Sequence, residues 1–139
     1  MPDPASIARE YVECVNRRDF DRIRQLLDSG YSYTGGDGQR QDGPQAAIDV
    51  VQMYTSAFPD VKSEIRQVHI AGDTAVVEFI ARGTHQAELM GIAATGRKIS
   101  MPICTVLDIK DGKITAEREY FDVMHMMQQL GVVPAPATA

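Results

Sequence analysis

Two acidic residues near the end of the chain, Glu119 and Asp122, are the first candidates for chemistry. Glu119 falls in a predicted strand, and a carboxyl group facing an apolar pocket would have a raised pKa because burial disfavours its ionised form. Such a group is suited to general acid or base catalysis. On an ordinary half-exposed strand, Glu117 and Glu119 would instead share the solvent face, unless a β-bulge reversed their facing. Both interpretations stay open.

Asp122 precedes an apolar helical pattern that stops at Gly131. An aspartate before a helix and a glycine after it predict an N-cap and a C-terminal stop. Because a capping residue can also border a pocket, Asp122 is kept as a candidate catalytic residue beside Glu119.

His85 is the third candidate catalytic residue, since its unperturbed pKa of about 6.5 suits proton transfer. A structural or surface role is the alternative, and the same holds for His69 and His125. The three histidines have neither HxxxH nor HExxH spacing, so we predict no metal site. We also predict that the protein uses no cofactor.

Tyrosines and methionines are the candidate substrate-binding residues. Phenol groups can donate hydrogen bonds, and methionines form pliable apolar walls. We assign this role to Tyr33, Tyr54, Tyr120, Met90 and Met101. Ordinary packing in the core or at its rim is the alternative for all five.

Composition limits the classes of partner. The chain has 139 residues, 44% of them hydrophobic, which predicts a single domain over residues 1–131 and a flexible tail over 132–139. Its net charge of −5 argues against nucleic acid as a partner. No apolar run approaches the ~20 residues of a membrane span, and the N-terminus lacks a signal-peptide pattern. We therefore predict a cytoplasmic protein with no membrane partner.

Hydrophobic periodicity predicts the elements that must position these candidates. Three helices come first, beginning at Asp3-Pro4, Asp19 and Gly43-Pro44, with a short strand over Tyr31–Thr34 before the third. From Val61 the period changes to two. The long strands are predicted over 61–71, 74–85, 98–109 and 113–121, with an Asp111-Gly112 hairpin turn.

This order of helices and strands predicts an α+β fold. We expect the helices to pack on a strongly curved antiparallel sheet that forms a cone with an apolar pocket. A final helix follows the last strand and ends at Gly131.

Three segments carry a family resemblance: FPDVKSEI (58–65), GTHQAELMGIAATGRK (83–98) and DGKITAEREYFDVMHMMQQLG (111–131). Together they resemble the SnoaL-like polyketide cyclases, within the nuclear-transport-factor-like fold shared by ketosteroid isomerase and scytalone dehydratase. In the characterised cyclases an acid on the last strand acts in an intramolecular aldol condensation. Its position matches Glu119, with glutamate in place of the usual aspartate. An assisting histidine would fall at about Thr105, and Asp122 matches the acid that begins the last helix.

The resemblance implies a cofactor-free cyclase, or a related lyase or isomerase, that acts on a hydrophobic carbonyl substrate. Glu119 would move the proton, and a tyrosine or His85 would support the developing oxyanion. It also implies a homodimer that pairs through the outer face of the sheet. Two alternatives stay open: a non-catalytic module for binding or assembly, and an accessory protein in polyketide hydroxylation.

Overall fold

Four helices pack on a six-stranded sheet in the part of the chain that the computed structural model describes, residues 2–134. The elements are α1 (Pro4–Arg17), α2 (Phe20–Leu26), β1 (Leu27–Thr34), β2 (Arg40–Asp42), α3 (Gln45–Ala57), β3 (Lys62–Ala71), β4 (Thr74–Thr84), β5 (Lys98–Lys110), β6 (Lys113–Tyr120) and α4 (Val123–Leu130). The predicted α+β class is confirmed.

Aspartates begin three of the helices as the sequence predicts. Asp3 accepts a hydrogen bond from the Ser6 amide at 2.8 Å, and Asp19 accepts one from the Arg22 amide at 3.1 Å. Asp122 accepts from the amide of His125 at 3.0 Å. Each carboxylate satisfies a backbone donor that has no partner within its helix, an interaction typically worth ~1 kcal/mol.

The strand order is β2-β1-β6-β5-β4-β3, and the sheet is mixed. Strands β3 to β6 form the predicted antiparallel meander, but β1 runs parallel to β6. The prediction of a wholly antiparallel sheet is therefore wrong at this pair. The reason is topological: the chain leaves β1 through β2 and α3, and β6 returns beside β1 in the same direction.

Two boundaries near the start of the sheet also differ from the prediction. The second helix ends at Leu26 and the strand begins at Leu27, whereas the strand was predicted to begin at Tyr31. The short strand β2 pairs with the end of β1 and was not predicted. Its three residues are all exposed, so they lack the alternation of apolar and polar residues that marks a half-buried strand.

The Asp111-Gly112 hairpin is confirmed in geometry as well as position. Both residues have positive φ, 51° and 78°, as a two-residue type I′ turn requires. This turn joins β5 to β6 and brings the last strand alongside the centre of the sheet.

The inner face of the sheet lies under the helices. On β5 alternate residues from Ile99 to Ile109 turn toward this face, and α1 packs across β3 and β4 while α4 packs on β5. None of the helices in residues 2–134 has the length and apolar character needed to cross a bilayer. Of the predicted tail, Val132 still donates a backbone hydrogen bond to Met127, and residues 135–139 lie outside the described part of the chain.

Candidate active site

A β-bulge on β6 decides which side chains enter the interior. Ile109 pairs with Ile114 and Asp108 pairs with Ala116, so Thr115 is an extra residue on this strand. Because of the extra residue, the side chains after it point to the opposite face of the sheet from the one that strict alternation would give. Ile114 and Glu117 are therefore both buried although they lie three residues apart. The interpretation that places Glu117 and Glu119 on the solvent face is wrong.

Both glutamates border an apolar cavity between the sheet and the helices α1, α3 and α4. The cavity is partly open to solvent, and its wall includes residues such as Val51, Phe79 and Ile103. Among the described residues that line it, the titratable side chains are the two glutamates and three tyrosines, Tyr11, Tyr33 and Tyr54. That part of the chain contributes no lysine, arginine or histidine to the wall.

Glu119 has the electrostatic character that proton transfer requires. Burial raises its pKa to about 8, the neighbouring Glu117 charge adds to the rise, and the hydrogen bond from Tyr33 opposes it. The Tyr33 hydroxyl donates to Glu119 Oε1 at 3.1 Å. With a pKa close to neutral pH, this carboxyl group can both accept and return a proton.

Glu117 is held by three hydroxyl groups and is only 5% exposed. Tyr11 and Tyr31 both donate to its Oε1 at 2.7 Å, and Thr105 donates to its Oε2 at 3.0 Å. Burial raises the pKa of Glu117, while the three hydrogen bonds act to lower it. The side chain is thus the best-satisfied polar group at the cavity.

The tyrosines around the pair stay protonated at neutral pH. Burial raises the pKa of Tyr11, Tyr31 and Tyr33, and the nearby carboxylates raise it further. Burial, followed by the charges of Glu119 and Asp37, raises the pKa of Tyr54 to about 12. The phenols are therefore hydrogen-bond donors at this site and are not bases.

An acidic residue on the last strand, facing a cavity covered by helices, is the arrangement that the family resemblance implies. The family model for SnoaL-like polyketide cyclase matches residues 5–130. The chain belongs to this family.

Its relatives include two aklanonic acid methyl ester cyclases. DnrD from Streptomyces peucetius is 25% identical, with 94% of this chain and 92% of the relative covered. AcmA from Streptomyces galilaeus is 26% identical, and the match covers 99% of this chain and 96% of the relative.

Solved structures show the same fold. IdmH from Streptomyces antibioticus, itself proposed to be a polyketide cyclase, is 26% identical with a TM-score of 0.83, covering 94% of this chain and 99% of its own. AclR from Streptomyces galilaeus, itself proposed to be a hydroxylase, has a TM-score of 0.85 at 21% identity. The match covers 96% of this chain and 84% of AclR. At that identity the second likeness shows the fold alone.

The position that the family gives to an assisting histidine is occupied differently in this SnoaL-like chain. Thr105 lies directly opposite Glu119 on the neighbouring strand. However, its hydroxyl donates to Glu117 and not to Glu119. The strand β5 thus supports the second carboxyl group of the pair.

The predicted substrate-binding residues divide between the cavity and the surface. Tyr33, Tyr54 and Met101 line the cavity. Tyr120 and Met90 are each 57% exposed and lie outside it, contrary to the prediction that they line the pocket. Tyr120 faces outward because, after the β6 bulge, the even-numbered residues of this strand point away from the cavity. Met90 lies in the loop between β4 and β5 and has a positive φ of 46°.

Asp122 and His85, two of the three predicted catalytic residues, do not line the cavity. Asp122 caps α4. His85 is fully buried against Phe58, with ring centroids 5.3 Å apart, and Phe58 in turn lines the cavity. His85 Nδ1 accepts a hydrogen bond from the Thr95 amide at 3.2 Å. This assigns the ring proton to Nε2 and makes His85 an anchor for the loop 86–96.

Replacing His85 with Phe is expected to loosen this loop. Phe keeps a ring against Phe58 but leaves the Thr95 amide without its acceptor, which typically costs ~1–3 kcal/mol. Hydrogen exchange should show faster exchange of the Thr95 amide. The control is Thr95→Val, which removes the hydroxyl but keeps the amide bonded to His85. Unchanged exchange at Thr95 in His85→Phe would contradict the anchoring role.

Three residues of the site, Glu117, Tyr11 and Tyr31, were not predicted from the sequence. Glu117 was missed because the bulge at Thr115 has no signature in the local sequence. Tyr11 lies among the buried residues of α1, and its contact with Glu117 spans 106 positions. A tyrosine within an apolar helix face is the one available signal, since a buried hydroxyl usually finds a hydrogen-bond partner.

Proposed function

We propose that the protein is a cofactor-free cyclase that closes a ring in a polyketide-like carbonyl substrate by general acid and base catalysis. The observation that carries the proposal is Glu119, a carboxyl group with a pKa raised to about 8 in an otherwise apolar cavity. Membership of the SnoaL-like family and the names of the two methyl ester cyclases support the reaction class.

The proposed reaction is an intramolecular aldol addition. The Glu119 carboxylate removes a proton from a carbon next to a carbonyl group, which leaves an enolate. The enolate carbon attacks a second carbonyl carbon of the same molecule, a carbon–carbon bond forms, and the second carbonyl oxygen becomes an alkoxide. Glu119 then returns the proton to that oxygen as a hydroxyl group, so no other reagent is needed.

Two features of the cavity would assist this reaction. Tyr33 and Tyr54 line the wall as protonated phenols and would donate hydrogen bonds to the oxygen atoms on which negative charge develops. The apolar walls would hold a flexible substrate folded with its reacting carbons close together. Such positioning can be worth several orders of magnitude in rate.

The pH dependence of turnover tests the state of Glu119. If its ionised form is the base, kcat/KM should rise about tenfold per pH unit below pH 8 and level off above it, because the pKa is about 8. Steady-state rates from pH 5.5 to 9.5 would measure this. A profile that falls over the same range would instead make the protonated form the active one.

The direct assay is incubation of the purified protein with a polyketide methyl ester that carries several ketones, followed by mass spectrometry and NMR of the product. A ring isomer of unchanged mass would support the proposal. Tight binding without conversion would favour the alternative of a non-catalytic binding module. A product gaining one oxygen atom only when a reductase partner is added would favour a role in hydroxylation.

We propose in addition that two copies pair through the outer face of the sheet. This face presents half-buried side chains at its centre, among them Ile80, Cys104 and Val106. Sedimentation at micromolar concentration should give twice the chain mass of 15.3 kDa. A monomer, or a dimer unaffected by Val106→Arg, would contradict this pairing.

A further inference from the structure

Glu117 lies at the same cavity as the proposed base but has no role in the reaction described so far. It follows Ile114 after the β6 bulge and projects from the same face as Glu119. Two carboxyl groups on one face of the same strand, in an apolar cavity, are unfavourable when both are ionised, so one of them keeps its proton to a higher pH than the other. The question is which of the two carries it.

Hydrogen bonding distinguishes the two carboxyl groups. Glu117 accepts from three hydroxyl groups, two of them at 2.7 Å, whereas Glu119 accepts from Tyr33 alone at 3.1 Å. Short O–H donors to a carboxylate are the stronger, charge-assisted kind of hydrogen bond. A carboxylate with three hydroxyl donors, two of them short, is favoured as the charged member of the pair, even at 5% exposure.

We propose that Glu117 is a positioning residue that holds the negative charge of the pair and thereby keeps the resting proton on Glu119. The inference rests on the proposed function, since it assigns Glu117 a role only through Glu119. Tyr11 from α1, Tyr31 from β1 and Thr105 from β5 hold that charge in place.

Within residues 2–134, no cationic side chain lines the cavity that could reverse this assignment. From α1, β1 and α3 the titratable groups facing the pair are Tyr11, Tyr31, Tyr33 and Tyr54, all neutral at pH 7. Asp37, in the loop after β1, adds negative charge near Tyr54. The described lining residues from β3, β4, β5 and α4 are uncharged.

The negative charge on Glu117 would therefore set the pH range in which Glu119 acts as a base. With Glu117 ionised, Glu119 holds its proton to a higher pH than burial alone would give, since like charges oppose its ionisation. The base is then stronger when it forms. A neutral residue at 117 would let Glu119 ionise earlier but would make it a weaker base.

The experiment is a titration of the side-chain carboxyl carbons by NMR, on protein labelled with ¹³C in glutamate. Glu119→Gln assigns the Glu119 signal by its loss. In Glu117→Gln the titration midpoint of Glu119 should fall by at least about one pH unit, because the neighbouring negative charge is removed. In Glu117→Asp the charge stays and the midpoint should stay within a few tenths of a unit of wild type.

The pair of variants separates an electrostatic role from a merely structural one. If Glu117 had only a structural role, Glu117→Asp would disturb the site at least as much as Glu117→Gln, because the shorter aspartate loses hydrogen bonds. An unchanged Glu119 midpoint in Glu117→Gln, or an equal shift in both variants, would overturn the proposal. If Glu117→Gln does not fold, Thr105→Val removes one donor to Glu117 and should raise the midpoint of Glu117 toward that of Glu119. Thr105→Val without any change in either midpoint would equally overturn it.

The titration experiment can fail or succeed separately from the assay of ring closure. The titration needs no substrate, so the charge assignment can fail while Glu119→Gln still abolishes ring closure. Conversely, turnover that survives Glu119→Gln would remove the proposed function even if the Glu119 midpoint falls as expected in Glu117→Gln.

Discussion

Replacing Glu119 with Gln is expected to lower kcat/KM for ring closure by ~10²–10⁴-fold, the usual contribution of a positioned acid or base. The amide keeps the shape of the side chain and can still accept the hydrogen bond from Tyr33, but it cannot take a proton from carbon. Substrate affinity should change little, because the loss is confined to the proton-transfer step. Turnover with the methyl ester substrate, together with equilibrium binding, would measure both quantities.

The matched control is Glu78→Gln. Glu78→Gln makes the same chemical change, from carboxyl to amide, on the outer face of β4, where Glu78 pairs with His69 and is exposed. Its turnover should match wild type. Equal losses in the two variants would mean that the loss in Glu119→Gln does not depend on the position of Glu119 at the cavity. Turnover unchanged in Glu119→Gln would exclude Glu119 from the reaction.

The stability of Glu119→Gln provides a check that lost turnover is not lost folding. The folded pKa of about 8 lies above the ordinary value of 4.5, so the folded state binds this proton more tightly than the unfolded state does. The resulting stability is fully present below about pH 4.5 and is lost as pH rises through about 8. Gln does not titrate, so this variant should lack that pH dependence. Above pH 8 it should be at least as stable as wild type in urea unfolding.

Those parts of the fold that depend on local chemistry could be predicted from the sequence. Asp111-Gly112 needs only two residues that accept positive φ, and Asp122 needs only a carboxylate before a helix. Each interaction lies within three residues along the chain. The α+β class likewise follows from periodicity, since a stretch of period two after a stretch of helical period leaves few arrangements.

The inner shell of the candidate site depends on contacts that no local pattern contains. Strict alternation from the apolar Ile114 would turn Arg118 toward the helices and both glutamates toward solvent. The bulge at Thr115 gives the opposite result: Arg118 pairs with Asp108 on the outer face at 2.7 Å, and the glutamates enter the cavity. Glu117 then meets tyrosines 86 and 106 positions away, which only the assembled fold brings together.

The same electrostatics lead to the second large effect, a strong preference for uncharged ligands. A polyketide with a free carboxylate is expected to bind at least ~100-fold more weakly than its methyl ester. A buried carboxylate without a paired cation carries a large desolvation cost. Here it would also approach a cavity wall that contains two carboxyl groups and, within residues 2–134, no cationic side chain. Isothermal titration of the acid and ester forms of one ligand at pH 7 would measure the ratio.

A designed cation tests whether the missing positive charge is the cause. Val51 lines the cavity from α3 and is only partly buried, so a lysine there can place its ammonium group in the cavity. Val51→Lys should bind the acid more tightly and so reduce the ratio of ester affinity to acid affinity. Val51→Met, which adds length without charge, should leave this ratio unchanged. An acid that binds wild type as tightly as its ester would show that the ligand's carboxyl group stays in solvent. In that outcome the charge of the cavity wall would not select against acids, and any selectivity among ligands would have to come from the shape of the cavity.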